Sequence, residues 1–362
     1  MRKYLALACF ATFSLFANTL SVAQPSGAEG DDFIYNVRQG DTLSALSKLY
    51  TGQSGNWRTL QSLNNVADTL ALPIGKALRI PFSLIAEVPG QARISHYSGD
   101  VTVNGRRPQT DTLVKEGDEI VVGSNAFLTL RLSDDSTITL PPSSTLSLKR
   151  LRDFTHAGLT DSILQLENGE LETRVAPDHR GVGRFEVHTP VSVTGVRGTD
   201  LRVRSQDDRS ITEVISGRAK LQTDATSQSM YIKPDQGTIV KASGEVSTGN
   251  LLPAPAMSEP ERGPNGWQVS FPPLAGAQEY LVQVTLDEEG SQIYSRQTTA
   301  DTTVSFHAGG TGTHYVRVRG IAADGLMGRD AVASFPGQLV LQSSNGAPVM
   351  SSFDLPITLQ DY

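Results

Sequence analysis

The constraint that weighs most on this chain is a period of two. From Ala92 to Gln222 apolar and polar residues alternate in short runs, such as Leu128-x-Leu130-x-Leu132, Leu164-x-Leu166, Phe185-x-Val187, Val191-x-Val193 and Leu201-x-Val203. Successive side chains of an extended strand point to opposite faces, so each run reads as a half-buried strand. Between them lie Val103-Asn104-Gly105, Ser133-Asp134-Asp135-Ser136, Glu167-Asn168-Gly169-Glu170 and Ile215-Ser216-Gly217-Arg218, whose Gly and Asn residues suit turns with positive φ. The pattern predicts an all-β domain over 92–222, with an extension to 246 left open. The same period returns in Trp267-x-Val269-x-Phe271, Tyr280-x-Val282-x-Val284-x-Leu286, Val304-x-Phe306 and Val316-x-Val318, predicting a β-sandwich over 265–336. Pro253, Pro255, Pro260 and Pro264 make 247–264 an exposed, semi-extended linker. The segment 337–362 carries no assignable pattern.

The segment 33–82 departs from this rule with a helical period. Ile34 to Val37 reads as a strand, Gln39-Gly40 as a turn, and Asp41-Thr42 as the cap of a helix with Leu43, Leu46, Leu49 and Tyr50 on one face. Trp57, Leu60 and Leu63 recur as a second helix ending at Asn64-Asn65, and Ala77 to Ile80 closes the unit as a strand. Trp57 keeps helical spacing with the leucines and is expected in the core. Three blocks, Tyr35-x-Val37-x-x-Gly40-Asp41-Thr42-Leu43, Trp57-x-x-Leu60-x-x-Leu63-Asn64 and Leu72-Pro73-x-Gly75-x-x-Leu78-Arg79-Ile80-Pro81, resemble the LysM family. The resemblance implies a βααβ fold that binds peptidoglycan or another N-acetylglucosamine-containing glycan. It places the glycan groove between two loops, Gly40, Asp41, Thr42 and Leu43 on one side and Leu72, Pro73, Ile74 and Gly75 on the other. An uncharged N-acetyl sugar suits such a site, because backbone groups can hold its amide while an apolar floor takes its methyl. Asp41 and Thr42 also read as plain helix caps and Gly75 as a plain turn residue. No second copy of the module is found, so binding to a short glycan is expected to be weak, on the order of micromolar to millimolar.

The β region 92–222 is similar to the FecR family. The resemblance rests on Gly99-x-Val101-x-Val103-Asn104-Gly105, Gly117-Asp118, Leu132-x-Asp134-x-Ser136-x-Ile138-x-Leu140, Gly169-x-Leu171 and Thr189-Pro190-x-x-x-x-Gly195-Val196-Arg197-Gly198-Thr199. It implies an elongated, twisted or solenoid-like β architecture. Where the family has Asp-Gly-Ser this chain has Asp134-Asp135-Ser136, which puts the turn type in question. Arg197 is the candidate for a partner contact through its planar fork, although Gly195 and Gly198 around it fit a tight β corner equally well. Trp267, Ala277-x-x-Tyr280, Tyr315-x-Arg317-Val318-Arg319 and Asp324-Gly325-Leu326 resemble a fibronectin type III module, which implies a spacer or contact surface.

Met1-Arg2-Lys3 followed by the apolar run Leu5 to Leu20 and Ser21-Val22-Ala23 reads as a secretory signal over 1–23. The single cysteine, Cys9, lies within it, so the exported chain would have no disulfide, thiol nucleophile or Cys-ligated metal. The net charge of −7 falls by two, to −9, when Arg2 and Lys3 leave, which argues against nucleic acid as a partner. His96, His156, His179, His188, His307 and His314 show no metal-ligand spacing, and no HExxH, GxSxG or phosphate-loop pattern occurs. Asp134-Asp135 and Glu288-Glu289 are expected to be solvated surface carboxylates. The expectation is a multidomain, mainly β protein without cofactor, metal or catalytic residues: a small βααβ LysM module, an elongated all-β FecR-like domain and a C-terminal β-sandwich. It would be exported, most simply to the periplasm, bind peptidoglycan and present the FecR-like domain to a ligand or an envelope protein. A sensory adaptor and a cell-wall hydrolase or its accessory are the alternatives.

Overall fold

Thr42 stands before the first helix in extended conformation, φ −127°, and its hydroxyl accepts from Ala45 N at 3.2 Å, so α1 runs Leu43–Thr51. Gly52 stops it in the left-handed region at φ 71°. Asn65, φ 48°, does the same for α2, Trp57–Asn64. The computed structural model describes residues 27–154, 158–175, 181–206, 208–223, 226–263, 266–337, 349 and 357. The segment 1–23 assigned to export lies outside them, as does most of 337–362. Strands β1 (Ala28–Glu29), β2 (Asp32–Asn36) and β3 (Ala77–Pro81) form one antiparallel sheet in the order β1-β2-β3. The βααβ order is therefore as the sequence implies. Leu43, Leu46, Tyr50 and Leu60 pack on Phe33, Tyr35, Leu78 and Ile80. Leu49 and Leu63, expected on the same faces, are instead 49% and 42% exposed because two short helices present only a narrow stripe to this small sheet. Trp57 is half-buried at the edge of that core, with the Arg58 guanidinium 4.6 Å over its ring.

The middle of the chain is one sheet of fifteen strands among the described residues, from Glu87–Pro89 to Val246–Asn250. Its branch point is the sixteen-residue strand Leu159–Arg174. The first half pairs antiparallel with Thr145–Phe154 and parallel with Gly181–His188. The second half pairs with Thr137–Leu140 and Ser192–Gln206. Gly169, φ 93°, lies between the halves, and a Cβ there would come within 2.5 Å of Ser144 Cα. The expected turn at Glu167–Glu170 is thus a bend inside a strand. Ile215–Arg218 is likewise a bulge within Arg209–Thr223, where Gly217 has φ 79° and a Cβ would meet Gly198 O at 2.5 Å. Turn and bulge draw on the same residues, and only strand pairing separates them. Asp135 adopts φ 68°, so the turn takes the left-handed shape despite lacking the family's glycine. Asp134 is not solvated but 4% exposed, accepting from Ser136 N and the Thr160 hydroxyl at 2.9 Å each. Glu288 and Glu289 are exposed as expected.

The C-terminal region folds as two sheets, Glu261–Gly263, Gly266–Ser270 and Thr303–Phe306 in one, and Ile293–Thr299, Ala277–Thr285, Thr313–Ala322 and Ala331–Pro336 in the other. Trp267, Val269, Tyr280, Val282, Val284, Val316 and Val318 fill the space between them. The other face of the second sheet is also covered. Gln283 and Arg319 are 2% and 1% exposed, and Arg319 reaches the middle sheet through Glu172 at 2.9 Å while holding Asp330 at 2.6 Å. Arg296 pairs with Glu170 at 2.6 Å. These cations hold the Glu170 and Asp330 carboxyls below their usual range against the opposing effect of burial, Asp330 down to about 2. The segment expected as an exposed linker over 247–264 runs in strands at its ends, Val246–Asn250 and Glu261–Gly263. Between them Pro253, Ala254, Ala256, Ser258 and Glu259 are exposed, while Leu251 and Pro255 are buried and Arg329 N donates to Leu252 O at 2.9 Å, anchoring it in this junction.

Leu326 enters a socket made by two glycines that face each other across neighbouring strands, Gly237 and Gly249. A Cβ on Gly249 would meet Leu326 Cδ1 at 2.8 Å, and neither glycine has a positive φ. Gly249→Val is therefore expected to destabilise the protein through overpacking alone, by about 1–3 kcal/mol. Chemical denaturation checks this, and pairing the change with Leu326→Ala should relieve the clash.

Candidate functional site

The two loops named from sequence are drawn together by main-chain bonds that prolong the β2–β3 ladder. Val37 N donates to Lys76 O at 3.0 Å and Gly75 N donates to Val37 O at 2.8 Å, while Leu43 N reaches Thr69 O at 3.3 Å. Gly40 and Gly75 have φ 88° and 82°, and a Cβ on either would meet nothing within 4 Å. Both glycines serve the backbone path and leave open space beside it.

The side chains divide into two groups. Asp41 accepts from the Tyr35 hydroxyl at 2.8 Å and from Arg38 N at 2.7 Å, so its carboxylate staples the first loop. Burial and that carboxylate push the Tyr35 phenol up, keeping it a donor. Thr42 is committed to its cap, and Leu43 and Leu72 are buried at 0% and 8% exposure. Their side chains are structural. Lys76 Nζ donates to Asn64 O at 2.9 Å, and Arg38 is engaged as well. The Asn64 side chain bonds Leu60 O at 2.8 Å and both Arg79 O and Arg79 N, at 2.8 and 2.7 Å, which ties α2 to β3. Pro73 and Ile74 stand out toward solvent, Ile74 at 70% exposure. Leu70, missed by the sequence reading, is 80% exposed in the same loop. Its signal was an apolar residue outside the helical period, held by an Asp68 carboxylate that accepts from Leu70 N at 2.9 Å. The loops thus offer backbone groups and apolar surface, with Asp41, Lys76 and Arg38 engaged within the protein. This chemistry favours an uncharged ligand.

Residues 35–81 match the family description of the LysM domain. The chain carries a LysM domain. Domains of this family generally bind peptidoglycan and related N-acetylglucosamine glycans. A second match, to the FecR protein family, covers residues 118–220, inside the larger sheet that begins at Glu87. Two crystal structures of an anti-sigma factor candidate from Parabacteroides distasonis, at 1.65 and 2.50 Å resolution, align with TM-scores of 0.31 and 0.30 and identities of 20% and 19%. The first alignment covers 36% of this chain and 59% of that one, the second 40% and 68%, so the chain spans under two thirds of the first structure's length. No curated protein matches the chain.

The LysM domain does not end at its own surface. Its core is completed by Phe154 and Leu159 of the middle sheet, and the Phe82 and Phe154 rings stack 5.2 Å apart at 11°. Arg184 lies 5.1 Å over Phe82, donates to Gly30 O at 3.1 Å and grips the fully buried Asp161 at 2.7 and 2.8 Å. In the FecR region the backbone of Arg197 pairs with Arg218 just before a register shift, with Gly198 at φ 52°; the Arg197 side chain lies outside the described residues. Thr199 closes that bulge by bonding both Arg218 O, at 3.1 Å, and Arg218 N, at 3.3 Å. Among the described residues no cluster of three potential metal ligands occurs, and no helix is long and apolar enough to cross a membrane.

Proposed function

We propose that this is a non-enzymatic, exported envelope protein, periplasmic and wall-associated, that holds peptidoglycan through the groove of its LysM domain. It presents the FecR domain, with the fibronectin-like sandwich docked on it, as a surface for a ligand or an envelope protein. The observation that carries the reading is the pairing of two clasped loops whose charged groups are engaged internally with the exposed Leu70 and Ile74. Such a site recognises an N-acetyl sugar by backbone bonds and methyl contact. Asp41 acts by shaping the first loop and Thr42 by starting α1, so both serve the glycan through the backbone.

The chain from Gln24 should sediment with insoluble peptidoglycan at both low and high salt, because screening weakens charge contacts and leaves apolar ones. A Leu70→Asp, Ile74→Asp double variant changes only exposed side chains and should keep its circular dichroism while losing at least about tenfold in retention, a factor equal to about 1.4 kcal/mol. Retention of the folded variant equal to the parent would remove the groove from the function. The FecR match over 118–220 favours a second reading, a sensory adaptor. That reading requires specific recovery of an envelope receptor by capture on the same chain.

A further inference from the structure

A cleft of about 460 Å³ lies between the LysM domain and the FecR sheet, within the size range of small-ligand sites. One wall is the β1 edge with Glu29. The floor is a row of four residues on neighbouring strands, directly in register: Glu186 opposite Gly195, Gly195 opposite Lys220, and Lys220 opposite Tyr231. Residues opposed in this way share a face of the sheet. Arg218, two residues before Lys220 and so on the same face, holds its guanidinium 5.6 Å over the Tyr231 ring and has no ion pair among the described residues. Tyr231 is 59% exposed. Lys220 meets Glu29 only at 3.8 Å with both side chains open to solvent, and Glu186 takes His188 Nε2 at 2.8 Å.

Gly195 decides the depth of this floor. A Cβ there would find its nearest neighbours at 3.9 Å, and the residue is not in the left-handed region. The backbone therefore does not require glycine, and the missing side chain leaves room in the cleft.

We propose that this cleft is a second binding site, for a short peptide carrying both free carboxylates and a free amino group, as the stem peptides of the wall polymer do. Arg218 and Lys220 take the carboxylates, Glu29 and Glu186 take the ammonium, and the Tyr231 face packs on the aliphatic part. The choice of a stem peptide rests on the reading of the protein as a wall binder. The site itself is built from different residues than the neutral groove, and its affinity should fall with salt.

Isothermal titration of the chain from Gln24 with a free stem tetrapeptide, L-Ala, γ-D-Glu, meso-diaminopimelate and D-Ala, tests the proposal at low salt. Chitotetraose serves as the neutral probe of the LysM groove. Gly195→Val fills the floor in a strand position that suits valine, and Arg218→Gln removes the guanidinium held over Tyr231. The expected result is peptide binding that weakens at least about tenfold in each variant, with chitotetraose binding unchanged. Absence of peptide binding, or equal binding by parent and both variants, overturns the cleft even if chitotetraose binds. Peptide binding lost in the variants supports the cleft even if chitotetraose fails, in which case the groove reading falls by itself.

Discussion

Glu213→Ala is expected to destabilise the protein by about 3–5 kcal/mol, the usual consequence of leaving buried charge without its partner, and to loosen the C-terminal sandwich from the FecR sheet. Glu213 is fully buried. Its carboxylate faces Arg202 at 2.8 Å and Arg204, both nearly buried, and also accepts from Met327 N at 2.7 Å. Each arginine continues into the sandwich, Arg202 to Met327 O and Gly328 O at 3.1 and 2.8 Å, Arg204 to Gly325 O at 2.6 Å. Burial, together with the charge of Arg319, presses the Arg202 guanidinium below its usual range, so this cation depends on the carboxylate opposite. Glu213→Gln separates charge from hydrogen bonding, since it keeps an acceptor for Met327 N. The amide variant should lose nearly as much stability as alanine. Calorimetry should resolve an early transition for the sandwich junction in both variants. A single transition within about 1 kcal/mol of the parent, the range of an exposed pair, would show that this network does not hold the junction.

Phe154→Ala should cost about 3–5 kcal/mol, the range for emptying an aromatic site in a core. The effect should fall on the attachment of the LysM domain. Phe154 is 1% exposed and lies against Phe82, at the end of a strand whose last residues Arg152, Asp153 and Phe154 pair with Pro89, Val88 and Glu87. Removing the ring opens the boundary between the two units while leaving the paired loops of the proposed glycan groove intact. Limited proteolysis should then cleave between Phe82 and Gly90 much faster than in the parent, and chitotetraose binding by the variant should persist. Unchanged cleavage would mean that Arg184 and Asp161 hold the boundary without the aromatic stack.

The βααβ unit was legible because its signals are local. Thr42 caps, Gly52 and Asn65 stop helices, and the apolar stripe of Leu43, Leu46, Tyr50 and Leu60 finds the sheet that period-two residues provide. The groove loops were legible only as positions. Sequence named Gly40 to Leu43 and Leu72 to Gly75, but which of those side chains face a ligand depends on bonds they make elsewhere. Asp41 is taken by Tyr35 and Arg38, and Leu43 and Leu72 by the core, whereas Ile74 and the unforeseen Leu70 are left outside.

The strands were likewise legible and their partners were not. Gly169 and Gly217 looked like turns because a glycine at positive φ serves a turn and a bulge alike, and the difference lies in the neighbouring strands, which bring Ser144 and Thr199 close against them. Gln283, Arg319, Glu213 and Asp161 look like surface residues by type, yet they are buried where one module meets the next. The sequence by itself determined what short segments do, since capping, helix stripe and strand alternation act over a few residues. Only the tertiary structure decided that the Pro-rich segment is seated in a junction, that charges are locked between domains, and that Gly195 floors a cleft. Those outcomes follow from contacts between residues tens to more than a hundred positions apart, whose burial and ion pairing no local pattern encodes.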